Sequence, residues 1–446
     1  MNVLFISLGC DKNTVDSEMM LGILAEHGYG ITDSEEDADI AVINTCCFIG
    51  DAKRESIDNI LQMVELKKAG KIKAIVVTGC LGQRYTEDIH REIPEVDAIL
   101  GISSFDKIGD CLDGILNASG DDVTSRDELG DINSTPICGI NRLLTTGGHY
   151  AYLKIAEGCN KRCTYCVIPY VRGNYRSVPM EVLVQEASEL ADRGVKELIL
   201  VAQETTLYGM DLYGRKSLPQ LIKKLALVDG IEWIRLLYCY PEEITDELIQ
   251  TIKEEPKVCH YLDIPIQHAS DRVLRAMARR TTKKEITDRI AAIREAVPDI
   301  ALRTTFITGF PGEKHSDYVI MTDFVRTIKF DRLGVFTYSR EEGTKAGESR
   351  GQIPEFIKRR RRNSVMKIQQ QISFEQAKNM VGKTVRVMIE GRLVKENIYV
   401  GRTYKDAPGV DGMIFVESDR ELMTGDFVDV TVTDSREYDL IGCVVE

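Results

Sequence analysis

Short apolar runs alternate with stretches of helical period through most of this chain. Residues 2–7, 39–45 and 73–79 are apolar runs of strand length, and residues 14–27, 50–68 and 83–93 carry apolar positions at helical spacing. Strands alternating with helices predict a parallel sheet covered on both faces. From residue 99 the pattern weakens. Residues 106–116 read as one more helix, and 117–135, with Ser-Gly-Asp-Asp and Asn-Ser-Thr-Pro, as a linker. The alternation resumes near His149. Candidate strands at 151–156, 197–202, 233–238, 261–266, 302–308 and 332–337 are separated by helical stretches at 179–193, 218–227, 245–254, 271–278, 283–296 and 316–328. Six β/α units are fewer than a closed eightfold barrel requires. A long helical stretch covers 354–379. Strand-like runs at 384–390, 397–403, 413–416, 427–433 and 437–444, punctuated by glycine, then predict a small all-β barrel. The fold class is α/β. The expected domains are an N-terminal parallel α/β domain at 1–117, a linker at 118–142, a central β/α domain at 143–376 and the barrel at 379–446.

Composition narrows the function classes. At 446 residues the chain is long enough for two to four domains with ample core, without disulfide staples. A formal net charge of −13 disfavours a general polyanion binder, DNA included. It leaves a basic protein partner, or RNA held by a local patch. No apolar run reaches the length of a membrane span, and the opening Met1-Asn2-Val3-Leu4-Phe5 reads as a first strand rather than a signal peptide. The expected location is the cytoplasm. In that reducing compartment, twelve cysteines read as metal ligands and buried thiols rather than disulfides.

The densest chemistry is Gly158-Cys159-Asn160-Lys161-Arg162-Cys163-Thr164-Tyr165-Cys166, on a loop after a predicted strand. Three thiolates in CxxxCxxC spacing can hold three irons of a four-iron cluster, leaving the fourth iron open to a substrate-like molecule. Zinc is the plainer alternative, but it usually takes paired CxxC halves, and no second half follows. In the first third, Cys10, Cys46 and Cys80 each stand at the carboxyl end of a different predicted strand, at or next to a helix start. Ligands of parallel α/β sheets bind at that edge, and helix N-termini stabilise thiolates. The trio therefore reads as a second cluster with an open iron, against the alternative of three buried thiols finishing strands. Successive strand residues face opposite ways, so only one of Cys46 and Cys47 should face the site. Cys111, Cys138, Cys239 and Cys259 read as ordinary thiols.

Polar residues gather at the ends of the central strands: Gln203-Glu204-Thr205, Tyr240-Pro241-Glu242, Gln267-His268 and Gly309-Phe310-Pro311-Gly312-Glu313. Each has a structural alternative, a turn for Gly-Phe-Pro-Gly and a core-edge role for His268. Arg303 inside a strand calls for a carboxylate or an anionic ligand nearby. The basic run Lys358-Arg359-Arg360-Arg361-Arg362 could bind phosphate, but fits better as a solvated helix face or as partner to the surplus carboxylates.

The CxxxCxxC loop with Tyr165 before the last cysteine resembles the radical S-adenosylmethionine (SAM) superfamily. With Ser7-Leu8-Gly9-Cys10-Asp11-Lys12-Asn13, Val15-Asp16-Ser17-Glu18, Asn44-Thr45-Cys46 and Thr78-Gly79-Cys80, the whole chain resembles the methylthiotransferase branch of that superfamily. The resemblance implies an open six-strand barrel arc and a C-terminal barrel of the TRAM type, which serves substrate recognition. It implies two 4Fe–4S clusters, one on Cys159, Cys163 and Cys166 and an auxiliary one on Cys10, Cys46 and Cys80. It implies SAM chelated at the open iron of the first and cleaved to a deoxyadenosyl radical, and an electron-donor protein as a partner. Some of the polar strand-end residues would contact SAM.

The branch divides by substrate, between an adenosine of tRNA and the β-carbon of an aspartate in the twelfth protein of the small ribosomal subunit. Gly401-Arg402-Thr403-Tyr404-Lys405-Asp406-Ala407-Pro408-Gly409-Val410-Asp411-Gly412 looks like the terminal-domain signature of the ribosomal-protein enzymes, as does Lys12-Asn13. Electrostatics agree independently: residues 379–446 hold 8 Lys+Arg against 13 Asp+Glu, a balance of −5. A barrel gripping RNA should be basic, whereas an acidic one suits a basic ribosomal protein. The expected activity is thiomethylation of that aspartate. The rivals are a tRNA methylthiotransferase and a non-catalytic metal-binding protein that docks on ribosomes.

Overall fold

The computed structural model describes residues 1–117, 127–393 and 397–445, so residues 118–126 of the expected linker lie outside the described residues. It divides into two compact units. One comprises Met1–Thr145, Tyr152–Val182 and Ser339–Gly347; the other comprises Thr146–Ala151, Leu183–Tyr338 and Glu348–Glu446. Among the described residues no helix is long and apolar enough to cross a membrane.

The first unit is built on a five-stranded parallel sheet. Its spatial order is Gly30–Thr32, Asn2–Ser7, Ile40–Thr45, Ala74–Thr78, Ala98–Leu100. The two three-residue strands at its edges are too short to show a period and escape the sequence pattern. Every residue of Ile40–Thr45 and Ala74–Thr78 is buried, because parallel strands covered on both faces need apolar side chains on both. Helices Asp11–Glu26 and Gly50–Lys68 cover the sheet. Ile60, Met63 and Val64 of the latter pack against Ile43, Ile75 and Val77. The helix expected at 83–93 is two helices, Gly79–Arg84 and Thr86–Glu92, broken at Tyr85. Helix therefore starts directly after the strand Ala74–Thr78, and Cys80 is its second residue. The described residues after 126 are fastened to this unit. Glu128 bridges to Leu100, and Arg142 is buried with its Nε 3.2 Å and Nη2 2.5 Å from Glu18 Oε2.

The second unit carries the open sheet that six β/α repeats predict. Its strand order is Arg332–Thr337, Ala301–Thr308, Val258–Gln267, Trp233–Leu236, Glu197–Val201, with Tyr150–Lys154 at the edge. Among the intervening helices are Asp246–Glu254, Lys283–Ala296 and His315–Ile328. The long helix Glu355–Lys378 carries the basic run, and carboxylates take several of its cations: Arg361 bonds Glu313 Oε1 at 2.6 Å, and Arg359 bonds Glu355 across one turn at 3.3 Å. The final strands close into a five-stranded barrel in the order Thr384–Arg392, Ile398–Thr403, Ile414–Glu417, Leu440–Val444, Phe427–Ser435. Alternate residues Val385, Val387 and Ile389 join Val428, Val430 and Val432 of the neighbouring strand in its core, as period-two patterning requires.

Residues 401–411, which the sequence singles out as a signature, fasten this barrel to the sheet. Arg402 is buried with its Nη2 2.6 Å from Glu197 Oε2 and its Nε 2.6 Å from Glu390 Oε1, while Arg235 Nε reaches Glu197 Oε1 at 2.6 Å. Burial alone would raise the Glu197 pKa, but Arg235 and Arg402 hold it below the usual carboxylate range. Arg332 meets Asp406, and Arg303 lies 3.2 Å from Asp263 and 3.5 Å from Asp411. The carboxylate that Arg303 called for is therefore a structural partner, and the Tyr261 hydroxyl donates to Asp411 at 2.7 Å as well. On the sheet, Glu197, Tyr261, Arg303 and Arg332 lie in the first half of their strands.

Removing one member of such a buried set strands its partners. Arg402→Ala is expected to destabilise the protein by about 3–5 kcal/mol, because Glu197 and Glu390 lose their shared cation. Thermal unfolding should show the lowered midpoint, and limited proteolysis should cut residues 379–446 before the rest.

Candidate metal centres

The CxxxCxxC loop leaves the short strand Ala156–Glu157, which pairs antiparallel with Arg176–Ser177. Gly158, at φ 76°, is a position only glycine fits, because a Cβ would lie 2.1 Å from Asn174 O and 2.7 Å from Gly173 O. This close crossing lets Cys159 N–H donate to Gly173 O at 3.1 Å. Arg162 takes the left-handed region at φ 51°, a strained turn for a long side chain that curls the loop. Cys166 N–H donates to Cys163 O at 3.0 Å, and Lys161 N–H points at Cys159 Sγ at 3.5 Å. Burial pushes the Cys166 thiol up, and Cys163 and Cys159 push it further.

The second trio forms at one edge of the first sheet. Strands Asn2–Ser7, Ile40–Thr45 and Ala74–Thr78 are parallel neighbours, so Cys10, Cys46 and Cys80 follow three adjacent strand ends. Cys10 caps the helix Asp11–Glu26, Cys46 directly follows its strand, and Cys80 lies one residue into its helix. Gly9, at φ 101°, permits the approach, since a Cβ there would stand 2.9 Å from Cys46 Cβ. Gly79, at φ 86°, would meet Asn44 Oδ1 at 2.3 Å and Thr45 O at 2.5 Å. Asn13 ties the turns together, its Nδ2 donating to Leu8 O at 2.8 Å and Thr45 O at 3.1 Å.

Cys46 feels the charges of both Cys80 and Cys10. Cys47 packs instead among Ile43, Ile60 and Val77, and its Sγ donates to Cys80 O at 3.3 Å. Cys10 acts on Cys46, whereas the charges named on Cys47 are those of Cys80, Arg84 and Cys46. Burial pushes the Cys46 and Cys47 thiols up to about 12 and raises Cys80. Buried, mutually repelling thiols with raised pKa values are a donor set that a metal stabilises by displacing the protons. Among the described residues neither trio draws its sulfurs within 4.8 Å of one another. A tetrahedral zinc, with bonds of about 2.3 Å, needs its sulfurs roughly 3.8 Å apart.

Between the two trios lies a buried charge network that sequence reading missed. Arg172 is 1% exposed. Its Nη1 donates to both oxygens of Glu157 at 2.9 Å, its Nη2 to Asn13 Oδ1 at 2.5 Å and Asp16 Oδ2 at 3.2 Å, and its Nε to Cys80 Sγ at 3.3 Å. Lys154 completes the set, bonding Asp16 and lying 3.0 Å from Glu157 Oε2. Burial would raise the Glu157 pKa, but Arg172 and Lys154 hold it far below the usual range. The available signal was an arginine directly after the apolar Val167-Ile168-Pro169-Tyr170-Val171, six residues past Cys166.

The polar strand-end residues of the second unit have local work. His268 is fully buried and its Nδ1 accepts from Ala269 N and Ser270 N, each at 2.9 Å. Glu313 Oε2 accepts from Gly309 N at 2.7 Å and Phe310 N at 3.2 Å, closing the Gly-Phe-Pro-Gly turn on itself. Glu204 caps a short helical turn through Thr206 N at 3.0 Å. Tyr240 stacks under the Arg279 guanidinium at 4.0 Å. Tyr238, at φ 59°, and Gln267, at φ 74°, hold left-handed backbone at or just beyond strand ends, a strain that clusters at functional rims. Cys239 and Cys259 are buried thiols, and Cys111 is buried in the helix Ile108–Leu116.

Comparison with known proteins agrees with this geometry. Residues 2–101 match the model of uncharacterized protein family UPF0004, residues 153–325 that of the radical SAM superfamily, and residues 381–445 that of the TRAM domain. Ribosomal protein uS12 methylthiotransferase RimO of Lachnoclostridium phytofermentans is 58% identical, over 99% of each chain. The proteins of the same name from Thermoanaerobacter sp. and Clostridioides difficile are 49% and 48% identical, over 99% and 98% of each chain. Among solved structures, the radical SAM methyltransferase TsrM of Kitasatospora setae superposes with a TM-score of 0.57 at 13% identity, covering 78% of this chain and 77% of its own. The cobalamin-dependent radical SAM enzyme OxsB gives 0.53 at 14%, covering 77% and 54%. These two likenesses are of fold. Radical SAM enzymes work with SAM and an iron–sulfur cluster. The chain belongs to the ribosomal protein uS12 methylthiotransferase family of radical SAM enzymes.

Proposed function

We propose that this protein thiomethylates the β-carbon of an aspartate in ribosomal protein uS12, with Cys159, Cys163 and Cys166 holding one 4Fe–4S cluster and Cys10, Cys46 and Cys80 a second. The carrying observation is that two separate sets of three cysteines, each buried or half-buried, lie within one unit, the members of each set close enough to repel one another's ionisation. Residues 1–117 are read as the domain of the auxiliary cluster, 118–142 as a linker, 143–376 as the radical SAM core and 379–446 as the substrate-recognition barrel. When bound, the clusters would supply a radical from SAM at the first site and a carrier for the methylthio group at the second. The chain supplies the rest. Gly9, Gly79 and Gly158 allow the loops to close around three sulfurs each, and burial of those sulfurs limits water. The electron would come from a separate donor protein.

Uptake of a basic ribosomal protein rather than tRNA is favoured by the barrel's charge. It carries 8 Lys+Arg against 13 Asp+Glu, and ion pairs occupy several of those cations. Arg402 is buried against Glu197 and Glu390, Arg386 pairs with Glu232 at 2.9 Å, and Lys405 lies 3.7 Å from Asp331. The surplus of carboxylates suits a phosphate backbone poorly, whereas acidic surface steers a basic partner.

Anaerobic reconstitution is expected to load about eight irons per chain, and Cys163→Ala or Cys80→Ala to lose about half of them. Cys163→Ala should abolish deoxyadenosine formation on reduction. Cys80→Ala should retain it while no thiomethylated product forms; product from that variant would overturn the second site. Mass spectrometry of uS12 and of tRNA, each incubated with the loaded enzyme and SAM, should find the methylthio group on the protein alone.

A further inference from the structure

We propose that Arg172 is the positioning residue that joins the two cysteine sites: its Nε–H fixes Cys80, and its charge sets the reduction potential of the cluster held by Cys10, Cys46 and Cys80. The inference rests on the reading of those cysteines as cluster ligands. Arg172 uses its donors in three directions. The Nη groups go to Glu157, Asp16 and Asn13, which would by themselves hold a buried guanidinium. The Nε–H goes to Cys80 Sγ at 3.3 Å, an N–H···S bond with no oxygen partner. Lys154, the other cation of the network, bonds Asp16 and Glu157. Two cations balance two carboxylates, so the network is neutral with Arg172 in place. Removing the guanidinium leaves one negative charge in excess beside the thiolates.

The residue after it braces the other site. Gly173 O accepts Cys159 N–H at 3.1 Å, and the chain at Gly173 and Asn174 crosses so close to Gly158 that no Cβ fits between. A displacement of residues 172–174 therefore moves Cys159 and Cys80 together. Hydrogen bonds to cluster sulfurs and net local charge are two of the properties that set iron–sulfur potentials, and both raise the potential here. A fixed N–H···S bond also holds the sulfur in register while the buried site is loaded.

The test uses the full chain carrying Cys163→Ala, which confines stable loading to Cys10, Cys46 and Cys80. After reconstitution with iron and sulfide, the cluster is titrated with dithionite and its reduced form read by electron paramagnetic resonance. At the poise that half-reduces the Arg172 protein, R172Q is expected to show a reduced-to-oxidised ratio about tenfold lower at equal iron content, with R172K in between. Equal midpoints in all three overturn the proposal. Should R172Q fail to fold, R172K decides: it keeps the charge but loses the Nε–H, and a midpoint unchanged from Arg172 overturns the hold on Cys80. Failure of the underlying reading is seen separately, as a Cys163→Ala, Cys80→Ala protein that binds as much iron as Cys163→Ala alone.

Discussion

Neighbouring parallel strands must end on the same edge of their sheet, and the first unit is organised by that constraint. Asn2–Ser7, Ile40–Thr45 and Ala74–Thr78 lie side by side, so the cysteines that follow them converge although more than thirty residues separate each from the next. Convergence in a buried place has an electrostatic cost. Burial raises the pKa values of Cys46 and Cys80 and the neighbouring thiols add to the rise, which leaves a donor set receptive to a metal. The glycines at 9 and 79 supply the last ångström of approach, since any side chain at either position would strike the neighbouring turn.

Each unit also contains a buried carboxylate held between two cations. Glu157 lies between Arg172 and Lys154, and Glu197 between Arg235 and Arg402. Buried ion sets seldom add stability beyond that of an apolar replacement, because desolvation offsets the attraction. What they fix is geometry. In the first unit the set aims an N–H at a cysteine sulfur. In the second it locks the barrel onto the strands.

The six cysteines were legible in the sequence because both signals are local: a fixed spacing within one loop, and a position relative to three apolar runs. The central strands and most helices were legible for the same reason, since each has enough residues to show its period. The edge strands Gly30–Thr32 and Ala98–Leu100 were too short to do so. Residues 127–142 fall within the expected linker, yet Arg142 bonds Glu18, more than a hundred positions away. Long-range pairing of that kind leaves no periodic trace. Arg172 was missed for a related reason: its partners Cys80, Asp16 and Asn13 come from distant turns, and only the fold assembles them. Arg303 was half legible. Its position demanded a carboxylate, but Asp263 and Asp411 had to be found in space.

The barrel holds the central sheet by Glu197, Arg235, Tyr261, Arg303 and Arg332, of which all but Arg235 lie in the first half of their strands. The opposite rim, where Gln203, Gln267 and Gly309 sit, takes no part in that attachment. Anchorage and the loop-bearing rim are thus separated along the strand axis. The outward surface of the barrel can therefore change while residues 401–412 keep their grip, without remodelling of the sheet.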